Sequence, residues 1–193
     1  MNERGDSGRR HTLATFRRLT GVWFEFDAHA AIIRMMMPGP EHEITCQAFY
    51  DEIKSHVMQI PGNNRSLCGA GATRYACPGA RSKEGDNGFK CSTRVGGSAW
   101  PNLLIEVGCS EPLLQPRMDA RWWLEASNGQ TRMVIIISVS KNPNNTHLEA
   151  WTMQPNPNSL TRQSPANVPA MNDVFDIDAA GTLIPPSAAL TIP

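Results

Sequence analysis

The chain has 193 residues, 40% of them apolar and 19% charged, enough to bury one sizeable core within a single domain. Eighteen basic side chains balance eighteen acidic ones, and that neutrality argues against tight nonspecific binding to nucleic acid. The five cysteines, Cys46, Cys68, Cys77, Cys91 and Cys109, are odd in number and form no C-x-x-C pair, which argues against a disulfide framework or a zinc ribbon. The charge is unevenly divided. Residues 1–96 carry thirteen Lys or Arg against ten Asp or Glu, and residues 97–193 carry five against eight. No apolar stretch approaches the roughly 20 residues that span a bilayer, and the N-terminus lacks the apolar core of a secretory signal. The sequence therefore predicts a soluble intracellular protein, nuclear or cytoplasmic, that does not enter a membrane. The early arginines suggest a mitochondrial presequence, but Glu3 and Asp6 oppose it.

Residues 1–19 read as a flexible basic arm whose Arg4, Arg9, Arg10, Arg17 and Arg18 either contact phosphate or are simply solvated. Residues 22–26 alternate and residues 31–37 are largely apolar, with Asp27-Ala28-His29 between them, which predicts a hairpin. Pro38-Gly39-Pro40 stops it. Phe49, Ile53, Val57 and Ile60 then recur every three or four residues behind the acidic turn Glu41-His42-Glu43, predicting a helix over residues 41–60 that ends at Pro61-Gly62. Gly69, Gly71 and Gly79 make the next stretch loop-like or weakly stranded, and Asn87-Gly88 predicts a tight hairpin. Ser110 is a candidate cap for a second helix, which Pro112 and Pro116 restrict in its first turns and which runs from Arg117 to Ala126 before Asn128-Gly129 stops it. Residues 133–139 predict a buried strand and residues 147–153 another, so strand, helix and strand form an α/β crossover. Residues 154–170, with four prolines, read as loop, and residues 174–177 and 182–184 as a last hairpin of the same domain.

Glu106 is the most informative position. It sits within Leu103-Leu104-Ile105-Glu106-Val107-Gly108, a run that reads as a buried strand, and a buried carboxylate costs several kcal/mol, roughly, unless it is paired, metal-bound or protonated. It either pairs with an arginine, as in a plain structural or interaction domain, faces water at a sheet edge, or belongs to a site. Glu43 and Asp86 are the other acids able to converge with it. Two or three carboxylates around one point repel unless a cation joins them, and hard oxygen ligands favour Mg²⁺ or Mn²⁺, a setting suited to phosphodiester hydrolysis. Glu43 also reads as a favourable charge at a helix N-terminus, and Asp86 as a turn residue. His42 reads as a capping or surface histidine, with ligand or proton shuttle as the alternative. One of the adjacent Trp122 and Trp123 should be core and the other half-exposed, where base stacking is possible.

Met35-Met36-Met37-Pro38-Gly39 with His42-Glu43, Lys83-Glu84 with Asp86, Trp100-Pro101-Asn102-Leu103-Leu104-Ile105-Glu106-Val107-Gly108 with Ser110-Glu111, and Asp119-Ala120-Arg121-Trp122-Trp123-Leu124 together resemble a family of uncharacterised fungal proteins. These in turn resemble the PD-(D/E)XK, or restriction-endonuclease-like, nucleases. The resemblance covers about residues 20–153 and implies an α-β-β-β-α-β core with a mixed sheet; with the N-terminal hairpin, and with residues 154–193 as a Pro/Asn-rich loop and C-terminal hairpin read from the pattern, this makes one α/β domain. It also implies a Mg²⁺-dependent nuclease acting on nucleic acid, or a catalytically degenerate relative that binds nucleic acid or protein. By resemblance Glu43 is the auxiliary acid, Asp86 and Glu106 are the metal-binding acids, and Gly108 stands where the motif places its lysine. Lys90, or else Lys83, is the candidate replacement, the former sharing a strand face with Asp86 if that segment is extended. Arg117 and Arg121, with Lys83, are candidate phosphate contacts; arginine stays protonated and cannot serve as a base.

Overall fold

The computed structural model describes residues 23–27, 31–61, 66–71, 73–77, 81–94, 96, 99–109, 112–141, 144–158, 164–186 and 190. The predicted basic arm, the turn at Ala28-His29 and the Ser110 cap lie outside them. The described residues form a mixed α/β structure of two helices and two sheets.

Pro40 opens the first helix, α1 (Pro40–Gln59), where a missing N–H costs nothing, and Glu41 and Glu43 place negative charge on its positive end. Its inward stripe of His42, Cys46, Phe49, Tyr50, Ile53 and Val57 lies on the large sheet. That sheet runs β11-β10-β9-β8-β7-β6-β3, from β3 (Leu67–Gly69), β6 (Asn87–Cys91), β7 (Leu103–Cys109), β8 (Met133–Lys141), β9 (Asn144–Pro155), β10 (Asn167–Ile177) and β11 (Leu183–Ile184). β7 pairs in parallel with β8, and the second helix, α2 (Leu114–Ala126), makes the crossover between them. All other pairings in the sheet are antiparallel.

Alternation on β7 divides the core. Leu103, Ile105 and Val107 meet α1, whereas Leu104, with Val134 and Ile136 of β8, meets Trp123 and Leu124 of α2. Each fully buried aliphatic side chain contributes about 1.5–3 kcal/mol before the entropy of ordering it. Trp123 is buried and Trp122 half-buried, as the sequence predicts.

A smaller sheet, β2-β1-β5-β4, joins β1 (Trp23–Asp27) and β2 (Ile32–Met36) to β4 (Arg74–Ala76) and β5 (Arg81–Glu84). The predicted N-terminal hairpin is its β1–β2 half. Two sequence expectations fail. Asn87-Gly88 is no turn: β5 and β6 belong to different sheets, Asn87 Oδ1 accepts from the Gly88 N–H, and Gly88 lies so close to β7 that an added Cβ would meet the Leu103 carbonyl at 2.7 Å. Residues 167–170 are strand rather than loop, because β9 runs on to Pro155 and β10 pairs along its length with a bulge near Asn172. The C-terminal hairpin forms as predicted from β10 and β11.

Candidate active site

Asp86 immediately precedes β6, one step beyond the pairing of Asn87 with Ile105, which places it across from Glu106 of β7. Its carboxylate takes the place of a ladder carbonyl: Asp86 Oδ2 accepts the Val107 N–H at 2.6 Å. The same oxygen lies 3.1 Å from His42 Nε2 on the first turn of α1. His42 is therefore buried and held by Asp86, not a capping or surface histidine. Burial acts to lower its pKa, but the hydrogen bond and charge of Asp86 outweigh that and the net direction is up. Glu43 does not join the acids. The helix turns its side chain outward, 60% exposed, with Oε1 3.9 Å from His42 Nδ1.

Glu106 leaves β7 on the α2 side. Its Oε1 accepts from Lys83 Nζ at 3.0 Å and from the indole N–H of Trp123. Lys83, on β5, also reaches Asp119 Oδ2 of α2 at 2.8 Å, while Asp119 Oδ1 accepts from Arg81 at 2.9 Å and from Gln115. Arg81 in turn donates to Glu25, which Arg34 also binds. Charges along this chain alternate. Three cations, Arg34, Arg81 and Lys83, face three carboxylates, Glu25, Asp119 and Glu106. Burial pushes the Glu106 carboxyl up to about 8; Lys83 pulls against this, and the charges of Asp86 and Asp119 push it further up. Burial acts to lower the Lys83 pKa, yet Glu106 and Asp119 more than offset it, so the ammonium is held above its ordinary value.

Lys90 belongs elsewhere. It is buried on β6, its ammonium 5.2 Å from the Tyr75 ring centroid on the α2 side, whereas Asp86 turns to His42 on α1. The bend at Asp86 breaks the alternation, so the two share no face. Arg117 is bound to Glu149 through both Nε and Nη2, with its side chain 42% exposed, and Arg121 lies 5.6 Å from the Trp151 ring. Glu149 also accepts from the Trp151 indole and meets His147, which bridges to Asp176.

Sequence reasoning missed Asp119 and the indole of Trp123. Their i, i+4 spacing on one helix placed both over the buried strand and was the available signal.

Among the described residues no three His, Cys, Asp or Glu side chains gather into a metal-holding group. Asp86 Oδ1 and Glu106 Oε2 nonetheless make no hydrogen bond among them, since only Oδ2 and Oε1 are engaged. Carboxylate oxygens are the hard donors that suit an ion such as Mg²⁺, which takes one or two carboxylates and keeps several waters, while Asp86 turns toward His42 of α1 and Glu106 toward Trp123 of α2.

No protein-family model matches the chain, and no curated protein matches it. Among solved structures, it is similar to a crystal structure from Anabaena variabilis described as a "putative nuclease belonging to DUF820". The likeness has a TM-score of 0.51 at 13% identity and covers 88% of this chain and 81% of the other. At that identity it is a likeness of fold.

Proposed function

We propose that the chain hydrolyses phosphodiester bonds of nucleic acid with a divalent ion, Mg²⁺ or Mn²⁺, at a restriction-endonuclease-like site made by Asp86, Glu106 and Lys83. The observation that carries the reading is Lys83 Nζ 3.0 Å from Glu106, with Asp86 across the ladder from that same glutamate. Two acids and a lysine are the set such a site needs, and Lys83 supplies from β5 what Gly108 lacks. Support also comes from chain order: α1, β3, β6, β7, α2 and β8 follow the α-β-β-β-α-β sequence, with β4 and β5 inserted.

Asp86 and Glu106 would hold the ion, which when bound supplies polarisation of the phosphoryl group and a lowered pKa for water. The chain's own residues do the rest. Val107 N–H and His42 fix the rotamer of Asp86, and Trp123 fixes that of Glu106. Lys83, kept protonated by two carboxylates, is an ammonium able to donate to a phosphoryl oxygen as negative charge develops there. Glu106 can hold a proton near neutral pH, and exchanging that proton for an ion makes ion binding tighter as pH rises.

A second reading is a catalytically degenerate module, favoured by the burial of Asp86, Glu106 and Lys83, whose side chains are 3%, 7% and 4% exposed. Incubating the chain with single- and double-stranded DNA and RNA, with Mg²⁺ or with EDTA, decides between them. Hydrolysis requires Mg²⁺-dependent cleavage lost in both Glu106→Gln and Lys83→Met; cleavage absent in folded wild type, or retained in both variants, contradicts it.

A further inference from the structure

A cleft lies beneath the C-terminal half of α1, at the other end of that helix from His42. Ile53, Val57 and Ile60 line it with Leu67 of β3, Leu103 of β7 and Met133 of β8, and it encloses about 410 Å³. Small-molecule sites typically enclose roughly 300–1,000 Å³. Val57 is about 22 Å along the helix axis from His42. Leu103 meets α1, whereas Glu106 turns to Trp123 of α2, so the cleft is no extension of the acidic site. Its walls are aliphatic. The one ring among the described residues lining it, Phe89, is 1% exposed and stacks on Tyr50 with centroids 4.4 Å apart, which leaves no open face for a nucleobase.

The polar groups of the cleft differ in what they have left to give. Asn102 is committed: Oδ1 accepts the Cys91 N–H at 2.9 Å and Nδ2 lies 3.4 Å from the Gln130 carbonyl. Cys91 Sγ is 3.1 Å from the Thr93 hydroxyl. Arg132 is the one charged side chain among the described residues lining the cleft, and its guanidinium has no hydrogen bond or ion pair among them. Asp173, in the neighbouring cleft that Arg132 also borders, makes no ion pair with it.

We propose that this cleft binds an aliphatic carboxylate, its hydrocarbon chain against the walls from α1, β3, β7 and β8 and its carboxylate on Arg132. Aliphatic walls favour a chain without directional polar groups. A guanidinium fork matches two carboxylate oxygens, and its single charge matches a monoanion. The site stands whether or not the acids on the other face cleave nucleic acid.

The test titrates the full chain calorimetrically with decanoate, decanol and acetate, and uses Cys91 as a reporter. Its thiol lines the cleft, and the hydrogen bond with Thr93 pulls its pKa down, which raises the thiolate fraction that reacts with iodoacetamide. Peptide mapping separates it from the other cysteines. Decanoate should bind at one site and slow Cys91 alkylation, decanol should bind about tenfold more weakly, and acetate should do neither. Arg132→Gln should weaken decanoate about tenfold and leave decanol unchanged. Ile60→Trp should weaken both by filling the cleft; both substituted positions are exposed, so the variants should melt as wild type does. Decanoate binding that survives Ile60→Trp and leaves Cys91 alkylation unchanged is adsorption elsewhere and overturns the site. Equal binding of decanoate and decanol, untouched by Arg132→Gln, overturns the carboxylate, and no binding of millimolar decanoate to folded wild type overturns the proposal.

Discussion

Lys83 and Lys90 are two buried ammonium groups on strands of different sheets, β5 and β6, and the fold treats them oppositely. Lys83 is clamped between Glu106 and Asp119, each within 3.0 Å, in a network whose charges cancel internally. Lys90 is given an aromatic face and no anion. The contrast teaches that burial alone does not tell what a charge is for: the partners do, and they come from elements far apart in sequence.

Substituting each lysine by methionine is the sharpest way to break the comparison. Lys83→Met leaves two buried carboxylates facing one another without their shared cation and should cost about 3–5 kcal/mol in denaturant unfolding. Adding Glu106→Leu to it should recover much of the loss, because replacing a buried pair with apolar groups is far cheaper than breaking it. Lys90→Met should leave stability unchanged or raise it, since it removes a buried charge that has no oppositely charged partner among the described residues. A comparable loss at both positions would erase the distinction.

Next in size is Gly88→Ala, whose Cβ would press on the Leu103 carbonyl and should destabilise by about 1–3 kcal/mol through displacement of β6 from β7. Smaller again is Glu106→Gln. The amide oxygen still accepts from Lys83 and Trp123, and Lys83 keeps Asp119, so the loss should be about 1 kcal/mol against the much larger loss at Lys83.

The smallest effect is a pH dependence remote from both lysines. Burial acts to lower the His147 pKa, but its bonds to Glu149 and Asp176 outweigh this and raise it above the ordinary 6.5. The folded chain therefore holds that proton more tightly than the unfolded chain. The stabilisation is complete below pH 6.5 and fades as pH rises through the raised value. Glu149 runs the other way: burial acts to raise its pKa, the bonds from Arg117, His147 and Trp151 lower it below 4.5, and its contribution is present above that value and lost as pH falls through the depressed one. Melting profiles of wild type against His147→Gln should differ in slope across and above pH 6.5; parallel profiles would show that the cluster carries no titration-linked stability.

Why Lys83 was the harder of the two to read lies in the chain. The helix of residues 40–59, the buried β7 and β8 and the crossover between them were legible because hydrophobic period is a local property. Glu106 announced itself for the same reason, as one charge inside an apolar run. Its partners did not. Lys83 sits on a four-residue strand of the smaller sheet, whose assembly from residues 23–36 and 74–84 no local pattern signals. The Asn87-Gly88 turn signal was overridden because β6 had to lie tight against β7. One residue of phase on α1 decided that His42, and not Glu43, faces Asp86. In the C-terminal part, prolines obscured a strand that the long β9 edge stabilises by pairing.

The claim at the centre is that the buried acids form a site for a divalent ion and are more than a structural ion pair. Thermal melts of wild type and of Asp86→Asn, each with Mg²⁺ and with EDTA, test it most directly. If Asp86 and Glu106 hold the ion, Mg²⁺ raises the wild-type melting temperature in proportion to RT ln(1 + [Mg²⁺]/Kd) and leaves folded Asp86→Asn unmoved. Equal melts with and without Mg²⁺ in wild type, up to millimolar ion, would contradict it.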